Sequence, residues 1–313
     1  MKKSKLTKWV AMCLSFLMLS ALLTSCGGTK KASESSSDKK SDDKAVTTDD
    51  SSSAGSSTSE SALLQKIKKQ GYIQIGSSND APFCYEDINT KKLAGIDIEI
   101  LREVCKRLGI PDIKMKVVDF SNLLVELNNN SIDMVADAMY VKDERLKIAA
   151  FTDKWYQEGE AVVIPQKSTI TKKEDLAGKT IGAQPGTTFY ETAQKWLDEK
   201  KIGKLEAYDN QATLMTAVNM GKVDAVVTDG IVAGYTLSSD SSLKLKLLTP
   251  YAAEASGQIG AAVRFADKDF LIEFNIALNE MKKDGSLLKI LKNYGLSEDY
   301  YVDAEKGVTK NTK

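Results

Sequence analysis

Asn130-Ser131-Ile132-Asp133-Met134-Val135-Ala136-Asp137 closes a helical stretch with a tight turn and then enters an apolar strand through an Ile-Asp pair. Gly221-Lys222-Val223-Asp224-Ala225-Val226-Val227 repeats the pattern: helix, turn, Val-Asp, apolar strand. Short apolar runs bounded by turn signals read as strands buried on both faces of a sheet. Two such units, about 90 residues apart, predict two similar lobes. The flanking segments fit. Leu63, Leu64 and Ile67 share one face of a helix over 62–70 that Gly71 stops, and 72–76 alternates as a strand. Asp97, Leu101, Val104, Cys105 and Leu108 recur at helical spacing until Gly109 and Pro111. Ser121 can cap a helix through 127. Strands over 132–138, 180–183 and 223–228 alternate with helices over 187–197 and 211–220, which predicts a mostly parallel α/β architecture.

The 313 residues carry 43 Lys+Arg against 43 Asp+Glu and no histidine. Balanced charge argues against nucleic-acid binding, which needs clustered cations meeting phosphate. Without histidine, the commonest general base and metal ligand is missing. No cofactor, metal or catalytic residue is expected, and composition leans toward binding.

The N-terminal region reads as an address followed by a tether. Lys2, Lys3, Lys5 and Lys8 precede an apolar stretch over 9–23 that ends at Leu23-Thr24-Ser25-Cys26. This resembles the lipobox of bacterial lipoproteins, which implies a signal peptide over 1–25 and a lipidated, palmitate-bearing Cys26 as mature N-terminus. A plain secretory signal with an incidental Cys26 is the alternative. Removing the leader's four lysines leaves 39 against 43, a net charge of −4. A diacylated cysteine supplies the two chains that stable anchoring needs. Residues 26–61 are rich in Ser, Asp, Lys and Thr, too polar to bury a core, and read as a flexible linker reaching roughly 30–35 Å. The folded part is expected over 62–302, with a flexible tail over 303–313.

The motifs resemble a known family. Ile75-Gly76-Ser77, Ala81-Pro82-Phe83 and Ala94-Gly95-Ile96-Asp97-Ile98-Glu99 are followed by Asp143-Glu144-Arg145 and Phe151-Thr152-Asp153. Asp175-Leu176-Ala177-Gly178-Lys179, Gly186-Thr187-Thr188, Gly221-Lys222-Val223-Asp224-Ala225 and Met281-Lys282-Lys283-Asp284-Gly285 complete the set. In order and spacing this resembles the polar amino-acid binding proteins of ABC importers, family 3 of the extracellular solute-binding proteins. The resemblance implies a two-lobed periplasmic-binding fold with a ligand cleft. Lobe 1 would take 62–158 plus 258–302 and lobe 2 would take 159–257, joined by crossovers near 158–163 and 257–263. It also implies an extracytoplasmic, membrane-anchored monomer that hands a small zwitterion to a permease.

The site follows residue by residue. Beside Asp143 and Glu144, Arg145 reads alone as a surface helix residue; the resemblance makes it the grip on a ligand carboxylate, a role that suits its planar fork. Thr187 and Thr188 open a helix whose free N–H groups suit an anion, although an ordinary N-cap explains Thr187 as well. Asp229 ends a strand, where α/β sheets present ligand-binding groups, and would accept an ammonium or simply cap the next helix. Phe120, Tyr140 and Phe189 align with pocket-wall positions and Phe83 belongs to the Ala-Pro-Phe turn at the cleft rim, although an aromatic after a strand reads equally as core. Ala138 and Gln184 are expected in the pocket. Ser77 stands where basic amino-acid binders carry Asp, Asp80 where many members carry an aromatic, and Asp137 where many carry Ser, Thr or Gly. These acids admit a cationic side chain or a compatible solute such as ectoine. Other readings are a secreted dehydratase using Asp80, Asp137 or Glu160, and a sensor lobe pair. Cys84 and Cys105 are read as two buried thiols rather than a bridge.

Overall fold

The computed structural model describes residues 60–304. The leader, Cys26, the linker through 59 and the tail beyond 304 lie outside the described residues.

The chain starts with α1 (Ala62–Gln70), where the Ser61 hydroxyl accepts from the Leu64 N–H and Gly71, at φ 83°, ends the helix. β1 (Ile73–Ser77), the hairpin β2 (Tyr85–Glu86) and β3 (Leu93–Ala94), and α2 (Ile96–Leu108) follow. β4 (Ile113–Val117), α3 (Leu123–Asn128), β5 (Met134–Val135), α4 (Asp143–Leu146) and β6 (Ala150–Phe151) complete the first pass. The long β7 (Tyr156–Pro165) leads into β8 (Thr180–Ala183), α5 (Thr188–Asp198), β9 (Lys204–Ala207), α6 (Gln211–Asn219), β10 (Ala225–Asp229), α7 (Gly230–Ser239) and β11 (Leu245–Leu247). The chain returns through β12 (Ser256–Ile259) and β13 (Ala262–Val263) to α8 (Phe270–Lys283) and α9 (Ser286–Asn293).

Two sheets define two lobes. The first has the order β4-β1-β5-β13-β6, with β1 parallel to β4 and β5. The second has the order β11-β7-β10-β8-β9, with β10 parallel to β8 and antiparallel to β7. β7 connects them: its residues Tyr156 to Gly159 pair antiparallel with β12, and Glu160 onward pairs with β10. After β12, the chain enters the first sheet as β13. The first core is built where α2 packs on α8 and α9, burying Ile100, Leu101 and Val104 completely. Each such side chain contributes about 1.5–3 kcal/mol by leaving water. Cys84 and Cys105 are both buried and free.

The repeated Ile/Val-Asp pairs occupy equivalent places. Asp133 donates its N–H to the Gln74 carbonyl at 2.7 Å and accepts the Gln74 N–H on its carboxylate at 3.1 Å. Asp224 does the same with Thr180, at 2.9 and 2.8 Å. Each aspartate thus clamps the start of the adjacent parallel strand.

One expectation needs correction. The strand expected over 132–138 is regular only at Met134–Val135. Ala138 adopts φ 48°, a left-handed conformation costly for a residue with a Cβ. That turn takes Asp137 and Ala138 out of the ladder. It lets Asp137 receive the Ser78 N–H at 2.7 Å, while the Ala138 N–H donates to Asp97 at 2.8 Å.

Candidate functional site

Between the lobes lies a tight cavity of about 20 Å³, room for little more than one water in this closed arrangement. Its walls come largely from segments at or just past the carboxyl ends of β1, β5, β8 and β10, where α/β sheets present ligand groups. Each residue expected to hold the ligand lines this space, joined by Gln211, whereas Glu160 does not.

Arg145 is only 7% exposed, so it is not the surface arginine that its acidic neighbours suggest. Nη1 donates to the Tyr140 carbonyl and Nη2 to the Gly186 carbonyl, each at 2.9 Å, and the guanidinium lies 5.5 Å from the centre of the Phe120 ring. Among the described residues no carboxylate is within ion-pair distance of it. Burial lowers its pKa to about 10, which marks a cation short of a counterion.

Across the cavity, the Thr187 hydroxyl donates to the Gln184 carbonyl at 2.7 Å and accepts the Tyr190 N–H at 3.1 Å, so it is spent on the helix cap. The Thr188 hydroxyl oxygen is buried and has no partner among the described residues. It sits on the first turn of α5, where the helix dipole favours negative charge. Phe189 meets Tyr140 edge-on at 5.6 Å, and Phe83 stacks on Tyr156 at 6.2 Å. Beneath Tyr140, a Cβ on Gly257 would come within 2.2 Å of the ring, so only glycine allows the ring this seat.

The acids form the opposite pole. Asp229 precedes α7 yet makes no side-chain cap bond to it. Glu158, from β7, accepts the Ile231 N–H at 3.4 Å instead. Asp229 accepts from Gln211 Nε2 at 3.3 Å, and burial raises its pKa to about 6. Burial, with the Asp229 charge adding to it, pushes Glu158 well above the carboxylate range. Asp80 accepts the Ser78 hydroxyl at 2.8 Å, and that hydroxyl also lies 2.5 Å from Asp137. Asp137 further accepts the Ser77 hydroxyl at 2.6 Å. Burial raises both Asp80 and Asp137, and the Asp80 charge lifts Asp137 further. Glu160 faces away from this space: it accepts from the Tyr251 hydroxyl at 2.7 Å and from the Glu254 and Ala255 N–H groups, clamping the loop before β12.

Sequence reasoning missed Gln211. Its amide donates to Gln184 Oε1 at 2.8 Å, and its oxygen accepts the Thr228 hydroxyl at 2.5 Å. A signal existed: Gln211 opens a helix after a parallel strand, capped by Asn210, as Thr188 does after Thr187.

The family description "Bacterial extracellular solute-binding proteins, family 3" matches residues 73–297. Among curated relatives, the arginine-binding extracellular protein ArtP of Bacillus subtilis is 30% identical over 227 residues, 72% of this chain and 86% of that one. The L-cystine-binding protein TcyA of the same organism is 30% identical over 235 residues, covering 74% and 84%. An ancestral arginine-binding protein solved with arginine has 31% identity and a TM-score of 0.65, covering 72% of this chain and 98% of that one. An ancestral amino acid-binding protein described as a precursor of cyclohexadienyl dehydratase has 27% identity and a TM-score of 0.66, covering 74% and 99%.

Proposed function

This chain belongs to family 3 of the bacterial extracellular solute-binding proteins, and from that premise we propose that it captures an amino acid between its lobes and delivers it to an ABC importer. The observation that carries the reading is the pair of opposite charges lining one cavity: Arg145, a buried cation with no carboxylate partner among the described residues, and Asp229, a buried carboxylate that makes no cap bond to the helix it precedes. A zwitterion answers both. Arg145, with the Thr188 hydroxyl and the start of α5, takes the α-carboxylate through charge-assisted bonds. Asp229, steadied by Gln211, takes the α-ammonium. The aromatic rings of Phe83, Phe120, Tyr140 and Phe189 exclude water and strengthen both contacts.

Capture is a hinge motion about β7 and β12, with the lobes over 62–158 plus 258–302 and over 159–257 as the moving bodies. Ligand favours the closed arrangement by touching both walls. Lipidation of Cys26 would hold a monomer at the extracytoplasmic face of the cell membrane, with the linker letting it reach the permease. Nucleic acid, cofactor and catalysis have no part in this reading. The names of the relatives, binders of arginine and cystine, favour an amino acid over a compatible solute.

The test is mass spectrometry of the ligand that co-purifies with the protein, followed by thermal denaturation with each candidate. Ligand at 100 times its Kd should add about 2.7 kcal/mol to stability. Turnover of the stabilising compound, or stabilisation by no amino acid, would overturn the reading.

A further inference from the structure

The cavity holds more carboxyl groups than a zwitterion can answer. Its lining includes one cation, Arg145, and three carboxylates, Asp80, Asp137 and Asp229. An α-carboxylate and α-ammonium would engage Arg145 and Asp229. That leaves Asp80 and Asp137, 6% and 2% exposed, both within reach of the one Ser78 hydroxyl. A hydroxyl has a single proton to donate, so it serves one carboxylate at a time. No Lys or Arg forms an ion pair with either among the described residues. Two adjacent buried carboxylates without a cation are strongly disfavoured as a doubly ionised pair.

Resting on the amino-acid reading above, we infer that the ligand is an α-amino acid whose side chain ends in a guanidinium or ammonium, and that Asp80 and Asp137 together receive that distal cation. Two carboxylates side by side suit either head: a guanidinium bonds both with its fork, and an ammonium places separate N–H donors on each. Phe83 and Phe120 line the same space and give an aliphatic stem apolar cover and the cation a ring face. A neutral amide side chain would leave the pair to bury a proton. A second zwitterionic end, as in cystine, would place a carboxylate against two others.

The experiment is calorimetric titration of the full-length protein in detergent. The probes are arginine, lysine and ornithine, against citrulline, norleucine, glutamine and cystine. At least one cationic amino acid should bind 100-fold or more tightly than citrulline and norleucine. Asp80→Asn and Asp137→Asn, checked for native circular dichroism, should each narrow that ratio by about 10- to 150-fold, the value of one charge-assisted contact. The wild-type ratio decides the matter even if a variant misfolds. Equal or tighter binding of citrulline, glutamine or cystine overturns this inference and leaves the amino-acid reading standing. Binding of no amino acid at all overturns both.

Discussion

Arg145 Nη2 donates to the carbonyl of Gly186 at 2.9 Å, joining the arginine of one lobe to the turn before α5 in the other. Nearby, Lys142 reaches Glu191 at 2.6 Å. On the far side of the cavity, the Gln211 N–H points at Asp80 from 3.5 Å, and the Tyr85 and Tyr235 hydroxyls lie 3.4 Å apart. The guanidinium that lines the cavity therefore also bridges the two lobes beside it.

Gly186 is the first place to test closure. It holds φ 82°, and a Cβ there would stand 2.7 Å from Ser121 Cα, a backbone atom of the opposite lobe. Gly186→Ala should keep the lobes apart. We expect at least a 10-fold loss of affinity, with the ligand-free protein destabilised by only about 1 kcal/mol, the usual cost of the left-handed turn. Titration calorimetry and ligand-free melting read the two effects separately; unchanged affinity would show that closure does not need this contact.

Arg145 and Asp229 test the orientation of the zwitterion. Each contact to an ionised group is worth about 1.5–3 kcal/mol, so Arg145→Ala and Asp229→Ala should each weaken binding roughly 10- to 150-fold. A decarboxylated analogue of the ligand should bind Arg145→Ala as well as it binds the wild type. Full retention of affinity in both variants would put the ligand elsewhere. A loss confined to Phe120→Ala or Tyr140→Ala would point to an aromatic box for a quaternary amine.

The pH profile has a definite sign. Burial raises Asp97 and Asp229 from 3.8 to about 6, so the fold favours their protonated forms. The stability this confers is fully present below 3.8 and is lost as pH rises through about 6. The opposite case, Asp284, held down to about 2 by the Ser286 hydroxyl and Arg107, acts below that window. With no histidine in the chain, no unperturbed side chain titrates between pH 5 and 7. Ligand-free protein should melt higher at pH 5 than at pH 7.5, while affinity for an amino acid should fall over the same descent as Asp229 takes up a proton. A melting temperature that rises steadily toward pH 7.5 contradicts the burial of these acids.

Anchoring is tested by fractionation. Cys26→Ser should move the protein from the membrane fraction to the soluble or secreted fraction, since without the two acyl chains no stable attachment remains. Continued membrane retention of the variant would refute a lipid on Cys26.

The sequence by itself determined several of the elements and the order in which they follow one another. The helical spacing of Leu63, Leu64 and Ile67 with Gly71 as the stop, and the paired Ile-Asp and Val-Asp entries to buried strands, are patterns among near neighbours in the chain. Tertiary structure alone decided how those elements meet. The strand over 132–138 was cut short because Ala138 turns to serve Asp97, 41 residues away. Gln211 entered the site through Asp80, 131 residues away, and Asp229 was freed because Glu158, from a crossover strand, accepts from the helix that Asp229 precedes. Hydrophobic periodicity records which face of an element is buried. It carries no record of which lobe will stand opposite, so a polar cavity built from both lobes emerges only when the chain has folded.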